Sequence, residues 1–275
     1  MRQICAELNV SRSGYYDWCR RQAQPGKRAS EDARLRLDIR RVHEANEGVY
    51  GSPRITLELH HERIPCGRHR VARLMRSERL AGRVRRRFRV QTTDSNHAHP
   101  IAPNLLAGRN RPSAPNQVWV TDITCVALPT GRWVYLAAVM DLFSRCIVGW
   151  SSGLTLEADL AIRALAMAID RRHPKPGLIV HSDRGVQYAS QAFRDVLARH
   201  SLIPSMSRRA NCYDNAAMES FWSTLKMERI SRTKLTDPQS VHRAAFEYIE
   251  GFYNPRRRHS SIGYLSPLDF EALST

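Results

Sequence analysis

The chain has 275 residues with 43 Lys/Arg against 26 Asp/Glu, a formal net charge of +17. Its ordinary apolar fraction supports packed cores, and no run approaches the roughly 20 apolar residues that span a bilayer. The six cysteines (Cys5, Cys19, Cys66, Cys125, Cys146, Cys212) contain no CxxC pair and read as reduced thiols, which sets aside a disulfide framework.

The charge is uneven. Residues 1–111 hold 24 of the basic and 11 of the acidic side chains, a net of +13, and residues 112–275 are close to balanced at +4. A basic front half, its excess nearly all Arg, is expected to contact nucleic acid ahead of a more neutral domain. The first residues, MRQICAELNV, break any apolar leader with charge, so a cytoplasmic protein is expected, with no membrane partner.

In chain order, residues 1–22 predict a short helix, a turn and a helix bearing Tyr15, Tyr16 and Trp18, which suits the end of a helix-turn-helix or a generic helical hairpin. Gln24-Pro25-Gly26 breaks the chain. Leu35, Ile39 and Val42 stripe an amphipathic helix over 30–46, Pro53 opens the next, and Val71, Leu74 and Met75 share one face of a helix over 69–80. His60, His61, Cys66 and His69 are zinc-capable, but they lack a second cysteine pair in an Arg-rich stretch and are not read as a zinc site. The run GRVRRRFRV follows, with Arg83, Arg85, Arg86, Arg87 and Arg89 around one Phe, a pattern suited to a phosphate backbone. A basic helical region is thus expected over 1–90, then a Pro/Asn/His/Thr-rich linker over 91–111 that contains His97 and His99 as solvated residues.

Beyond it the pattern changes to strands. VWVTDITCVAL, WVYLAAVMDLF and RCIVGWSS read as an antiparallel meander, the first two runs joined at Pro129-Thr130-Gly131. A helix with Leu160, Ala161, Ala164, Leu165, Ala168 and Ile169 on one face follows, then the strand GLIVHSD, the helix SQAFRDVLARH, the short strand IPSMS and the helix NAAMESFWSTLKMERI. The order β-β-β-α-β-α-β-α predicts an α/β fold: a ribonuclease H-like catalytic domain, a mixed five-stranded sheet with helices, over 112–232. Residues 233–275 predict a C-terminal helix and a basic, turn-rich tail around NPRRRH.

Three acids stand in these regular segments. Asp122 shares a strand face with Val118, Val120, Thr124 and Val126. Asp183 ends the strand LIVHSD. Glu219 sits in the first turns of a helix that Asn215 is placed to cap, with Ala216, Ser223 and Lys226 on its face and Met218, Phe221, Trp222 and Leu225 packing elsewhere. Acids among apolar residues call for positive partners. Two Mg²⁺ or Mn²⁺ ions are the natural candidates, and in a basic protein they point to in-line phosphodiester chemistry without a covalent nucleophile. Lys226, seven residues after Glu219, lies two turns and about 10.5 Å further along the helix, placed to hold a DNA strand. Asp141 reads as a supporting acid.

The Asp183–Glu219 interval encloses 35 residues. With VSRSGYYDW, YGSPRI, RVARLMR, WVTDIT, HSDRGVQY, SMSRRANCYDNAAMESFWSTLK and YNPRRRHSSIGYLSP in this order, the chain resembles insertion-sequence transposases of the IS-three group, relatives of retroviral integrases. The resemblance implies that Asp122, Asp183 and Glu219 are the metal ligands and Lys226 the group's basic residue after the Glu. It implies double-stranded DNA partners (the element's terminal inverted repeats and the target), self-association on DNA, action at the nucleoid, and a companion product of an upstream reading frame that supplies a coiled coil not seen here. The expected reaction is nicking at the element's 3′ ends followed by strand transfer. A hydrolytic nuclease of the same fold and a catalytically retired DNA-binding regulator stay open as rivals.

Overall fold

A computed structural model describes residues 2–23, 26–83, 100–108, 110–208 and 216–274. The chain divides into two units, Met1–Arg83 and Val84–Thr275. No helix among the described residues is long and apolar enough to cross a membrane.

The first unit is all helical: α1 (Arg2–Glu7), α2 (Arg12–Ala23), α3 (Lys27–Ala45), α4 (Ser52–His61) and α5 (Arg68–Ser77). The apolar stripes read from the sequence, Leu35, Ile39 and Val42 of α3 and Val71, Leu74 and Met75 of α5, are all buried in its core, and Ile55 and Leu59 of α4 join them. Pro53 lies in the first turn of α4, where its missing N–H costs nothing. One acid pins the three-helix cluster from within. Asp32 on α3 accepts from Arg70 Nε at 2.7 Å and from Arg73 Nη2 at 2.6 Å on α5, and these bonds hold its carboxyl below the usual range. At the hairpin of α1 and α2 the Ser11 hydroxyl accepts from the Gly14 N–H, a local cap that starts α2. His60 Nε2 lies 2.7 Å from the Cys66 carbonyl.

The second unit is built on five strands: β1 (Val118–Ala127), β2 (Trp133–Asp141), β3 (Ile147–Gly153), β4 (Ile179–Ser182) and β5 (Ile203–Met206). Their spatial order is β3-β2-β1-β4-β5. β1, β2 and β3 form an antiparallel meander, whereas β4 joins β1 and β5 joins β4 in parallel. This is the mixed five-stranded sheet expected from the sequence. Gly131, at φ +80°, turns the β1–β2 hairpin where an L side chain would be strained.

Helices α6 (Ala158–Arg172), α7 (Val186–Ala189) and α8 (Gln191–Arg199) complete the link from β3 to β5. One sheet face, with Trp119, Ala137, Val139 and Val148, packs on Leu160, Ala164, Leu165 and Ala168 of α6 and on Phe193 and Leu197 of α8. The closest approach is at Gly149: a Cβ there would stand 2.2 Å from the Ala164 carbonyl oxygen and 2.6 Å from Ala168 N. Only a glycine lets α6 lie this near β3.

The chain closes with α9 (Ala216–Glu228), a 3-10 turn, α10 (Pro238–Tyr248), a π-helical turn over Ile249–Tyr253, and α11 (Pro267–Ala272). A capping box between Asp237 and Ser240 starts α10. The tail expected after α10 is instead part of the fold. Arg257, in the middle of the arginine run, is buried and donates to Glu228, the last residue of α9, from Nε at 2.8 Å and Nη2 at 2.7 Å. The Tyr248 hydroxyl donates to the same carboxylate at 2.6 Å. Phe221 of α9 packs edge-on against Tyr253. Sequence alone marks RRR as solvated charge; a buried acid 29 residues earlier draws the middle arginine inward.

Residues read as linker are fastened here as well. Leu105 N donates to the Ser205 hydroxyl at 2.9 Å, and Arg111 donates to the carbonyls of Ser261 and Phe143 at 2.7 and 3.0 Å.

Candidate active site

β1 and β4 run side by side in parallel, with Val118 beside Ile179, Trp119 beside Val180 and Val120 beside His181. Two further residues along each strand direction come Asp122 and Asp183. The ladder has ended by then, so Asp183 lies one residue beyond β4. Its Oδ1 accepts from the Gly185 N–H at 2.9 Å, which fixes the turn; a Cβ at Gly185 would crowd that same oxygen at 3.0 Å.

Asp122 and Asp183 share the wall of one recess with Thr124, Gln187 and Tyr188. Burial first, and then the charge of Asp183, pushes the Asp122 carboxyl up to about 8. Two N–H groups oppose that rise, the backbone of Ile123 and the indole of Trp222. Trp222 Nε1 donates to Asp122 Oδ2 at 3.1 Å across 100 residues of sequence. Behind the pair, the Tyr188 hydroxyl stands 3.3 Å from Thr121 Oγ1, which donates to the Ala138 carbonyl. Burial and the two acids raise the Tyr188 phenol well above its ordinary value, so it stays protonated.

The remaining predicted residues fall as follows. Glu219 lies in the first turn of α9 with its side chain exposed, and its charge also raises the Asp122 carboxyl. Among the described residues no three His, Cys, Asp or Glu side chains gather closely enough to hold one ion. The fold brings Asp122 and Asp183 together and sets Glu219 on the adjacent helix. Lys226 is half-buried: burial lowers its pKa, while Cys125 and Asp122 act in the other direction. Its helix α9 packs against β1. Asp141 is fully buried, and its two oxygens accept the N–H groups of Asn116 and Phe143 at 2.6 and 2.9 Å, so it closes the end of β2 as a structural acid. Arg83 is exposed, with its N–H bonded to the Val49 carbonyl. Arg85, Arg86, Arg87, Arg89, His97, His99, Cys212 and Asn215 lie outside the described residues.

Trp222 packs as expected, buried against Phe221, and in addition its indole N–H holds the first acid of the site. A usable sign was present, because a buried indole N–H needs an acceptor.

The donor chemistry fits a hard divalent cation. Two carboxylates share one recess, the charge of Asp183 adds to the cost of ionising Asp122, and no Lys or Arg within the described residues pairs with Asp122. A cation would relieve that repulsion. A mixed sheet in this order, with one acid inside β1 and another just beyond the parallel β4, is the arrangement expected of integrase-type polynucleotidyl transferases.

Comparison with known proteins makes the second step. The integrase core domain family matches residues 112–212 and again 200–267, and an HTH-like domain matches residues 29–88. The latter match covers α3–α5. The chain is 45% identical over 267 residues to the insertion element IS600 uncharacterized 31 kDa protein of Shigella sonnei, covering 97% of each. It is 38% identical over 271 residues to the transposase InsF for insertion sequence IS3A of Escherichia coli strain K12, covering 98% of this chain and 93% of that one. Among solved structures it aligns with a chain of the simian T-cell lymphotropic virus intasome in complex with PP2A regulatory subunit B56 gamma, at 15% identity and TM-score 0.49, covering 85% of this chain and 74% of that one. The chain belongs to the IS3 family of insertion-sequence transposases, enzymes of the DDE transposase/integrase class.

Proposed function

We propose that the protein nicks the 3′ ends of its own insertion sequence and joins them to target DNA, with Asp122, Asp183 and Glu219 as the catalytic and metal-binding residues. The observation that carries the reading is the juxtaposition of Asp122 and Asp183 in one recess, with Trp222 and Glu219 on the helix beside it.

Two divalent ions, Mg²⁺ or Mn²⁺, would supply charge stabilisation for the attacking and leaving oxygens of an in-line displacement. Asp122 and Asp183 would hold them, with Asp122 giving up the proton that burial helps it keep, and Glu219 would swing in from α9 to complete the set. In the first reaction water attacks the phosphodiester at the element end and the cleaved strand leaves as a 3′-hydroxyl. In the second that hydroxyl attacks a target phosphodiester, one P–O bond forming as another breaks. Tyr188 and Thr121, bonded to each other beneath the acids, keep the floor of the site fixed.

Lys226 would hold a strand near the acids. Arg83, with Arg85, Arg86, Arg87 and Arg89, would bind phosphates in a salt-sensitive way. In this reading residues 1–90 form the DNA-binding region, 91–111 the linker and 112–232 the catalytic core, with 233–275 appended to it. The protein works in the cytoplasm on nucleoid DNA. Its partners are the terminal inverted repeats, the target duplex, further copies of itself and the upstream-frame product.

The test is strand transfer by Asp183→Asn on duplexes carrying the element ends. Joined product should vanish in Mg²⁺ or Mn²⁺ while DNA binding persists. Joining at the wild-type rate would remove Asp183 from the chemistry, and cut but unjoined product from the wild-type protein would favour the hydrolytic rival.

A further inference from the structure

At the opposite end of β1 and β4 from the two acids lies a cleft of about 870 Å³. Its wall includes Arg111, Arg145 and Lys175 and the polar side chains of Asn110, Ser113 and Gln117, and no Asp or Glu lines it. Arg111 is anchored by the Ser261 and Phe143 carbonyls, so its position is set while no acid among the described residues pairs with it.

Arg145 is the telling residue. It sits in the β2–β3 turn with a left-handed backbone, φ +68°, a conformation that costs a non-glycine residue and clusters at functional positions. Its Nε is buried with no hydrogen-bond partner among the described residues, and no acid pairs with it there. Burial and the neighbouring charge of Arg111 both pull its pKa down. Two guanidinium groups held near each other, with a lysine on the same wall, form a receptor for an oxyanion.

We propose that this cleft is a second DNA-contact site in the catalytic unit, holding a backbone phosphate between Arg111, Arg145 and Lys175. It rests on the reading of the protein as a DNA-joining enzyme. The distance suits it. Val118 and Ile179 line the cleft, and the acids lie four residues further along each strand, about 13 Å at the rise of a strand. That is about four base-pair steps of duplex, so a backbone engaged at the acids extends to the cleft. A duplex held at both points cannot pivot about the scissile bond.

The test is binding of a labelled 30-base-pair duplex of arbitrary sequence to the full chain in EDTA, followed across a salt series. The double variant Arg145→Gln/Lys175→Gln should lower the slope of log affinity against log salt by up to about 0.9, the share of one phosphate, and each single change by part of that. Each single change should weaken binding about tenfold at 0.1 M salt. Arg171→Gln removes the same charge from an arginine already paired with Glu250 and should leave the slope as in wild type. Lys175 is exposed, so Lys175→Gln carries the test should Arg145→Gln fail to fold. Slopes for Lys175→Gln and the double variant equal to that of Arg171→Gln overturn the site while leaving the joining reaction standing. A wild-type protein that binds no duplex overturns both readings. Loss of self-association in sedimentation, at an unchanged DNA slope, assigns the cleft to a second copy and also overturns the site.

Discussion

Substituting Arg257 by Met tests how α9, the helix of Glu219 and Trp222, is held in place. Glu228 ends that helix with 1% of its surface exposed, and Arg257 is 5% exposed. The pair makes two bonds, at 2.8 and 2.7 Å, and Tyr248 supplies a third at 2.6 Å. Burial alone would lower the Arg257 pKa, but the bonds and charge of Glu228 outweigh it and raise the group above its ordinary value. After Arg257→Met the carboxylate keeps one neutral donor and no counter-charge. Removing one partner of a buried pair costs about 3–5 kcal/mol, or about 6–20 °C in Tm for a unit of this size. Urea unfolding followed by tryptophan fluorescence isolates the relevant transition, because Trp119, Trp133, Trp150 and Trp222 lie in the second unit and only Trp18 in the first. Adding Glu228→Gln removes the stranded charge while keeping an acceptor for Tyr248, and should recover more than half of the loss. A single-variant cost under about 1 kcal/mol, or a double variant no more stable than the single one, would refute the reasoning.

Other outcomes follow from the same geometry. Gly149→Ala places a methyl 2.2 Å from the Ala164 carbonyl oxygen, so α6 must move off β3 at a cost of about 3 kcal/mol; unchanged urea unfolding would mean the approach is looser than it looks. Trp222→Phe keeps a ring but loses the N–H on Asp122, and apparent Mn²⁺ affinity in calorimetry should fall about 10–100-fold, as for other groups that orient a metal ligand. An affinity within twofold of wild type would reduce Trp222 to packing. The folded state raises the Asp122 carboxyl to about 8, from about 4 in an unfolded chain. Its stabilising share is thus complete below about pH 4 and lost as pH rises through 8. In metal-free buffer the Tm of wild type should fall between pH 5 and 9 relative to that of Asp122→Asn, and parallel Tm profiles would contradict the shift.

Much of the fold was legible in local pattern. The alternation Val118, Val120, Asp122, Thr124, Val126 marks a strand with an acid on an otherwise apolar face, because side chains on a strand repeat every two residues. The i, i+3, i+4 stripe of Leu160, Ala161, Ala164, Leu165 and Ala168 marks α6 for the same kind of reason. Asp122 and Asp183 mark a candidate metal site, since carboxylates set in apolar strands are costly without cations, and the Asp-Asp-Glu spacing adds Glu219 through the family resemblance. The sequence by itself therefore determined the order of the elements, the acids to suspect and the family to compare.

Tertiary structure decided which of those residues meet. Trp222 reaches Asp122 across 100 residues, Arg257 reaches back 29 to Glu228, and Arg111 crosses 150 to cap the Ser261 carbonyl. No periodicity encodes such contacts. A buried hydrogen-bonding group takes whichever partner the fold delivers, so an indole that reads as packing becomes a clamp on the site. By the same logic, one arginine of a basic run becomes the anchor of a helix, and Arg145, outside any run, faces a cleft with no acid among the described residues to meet it.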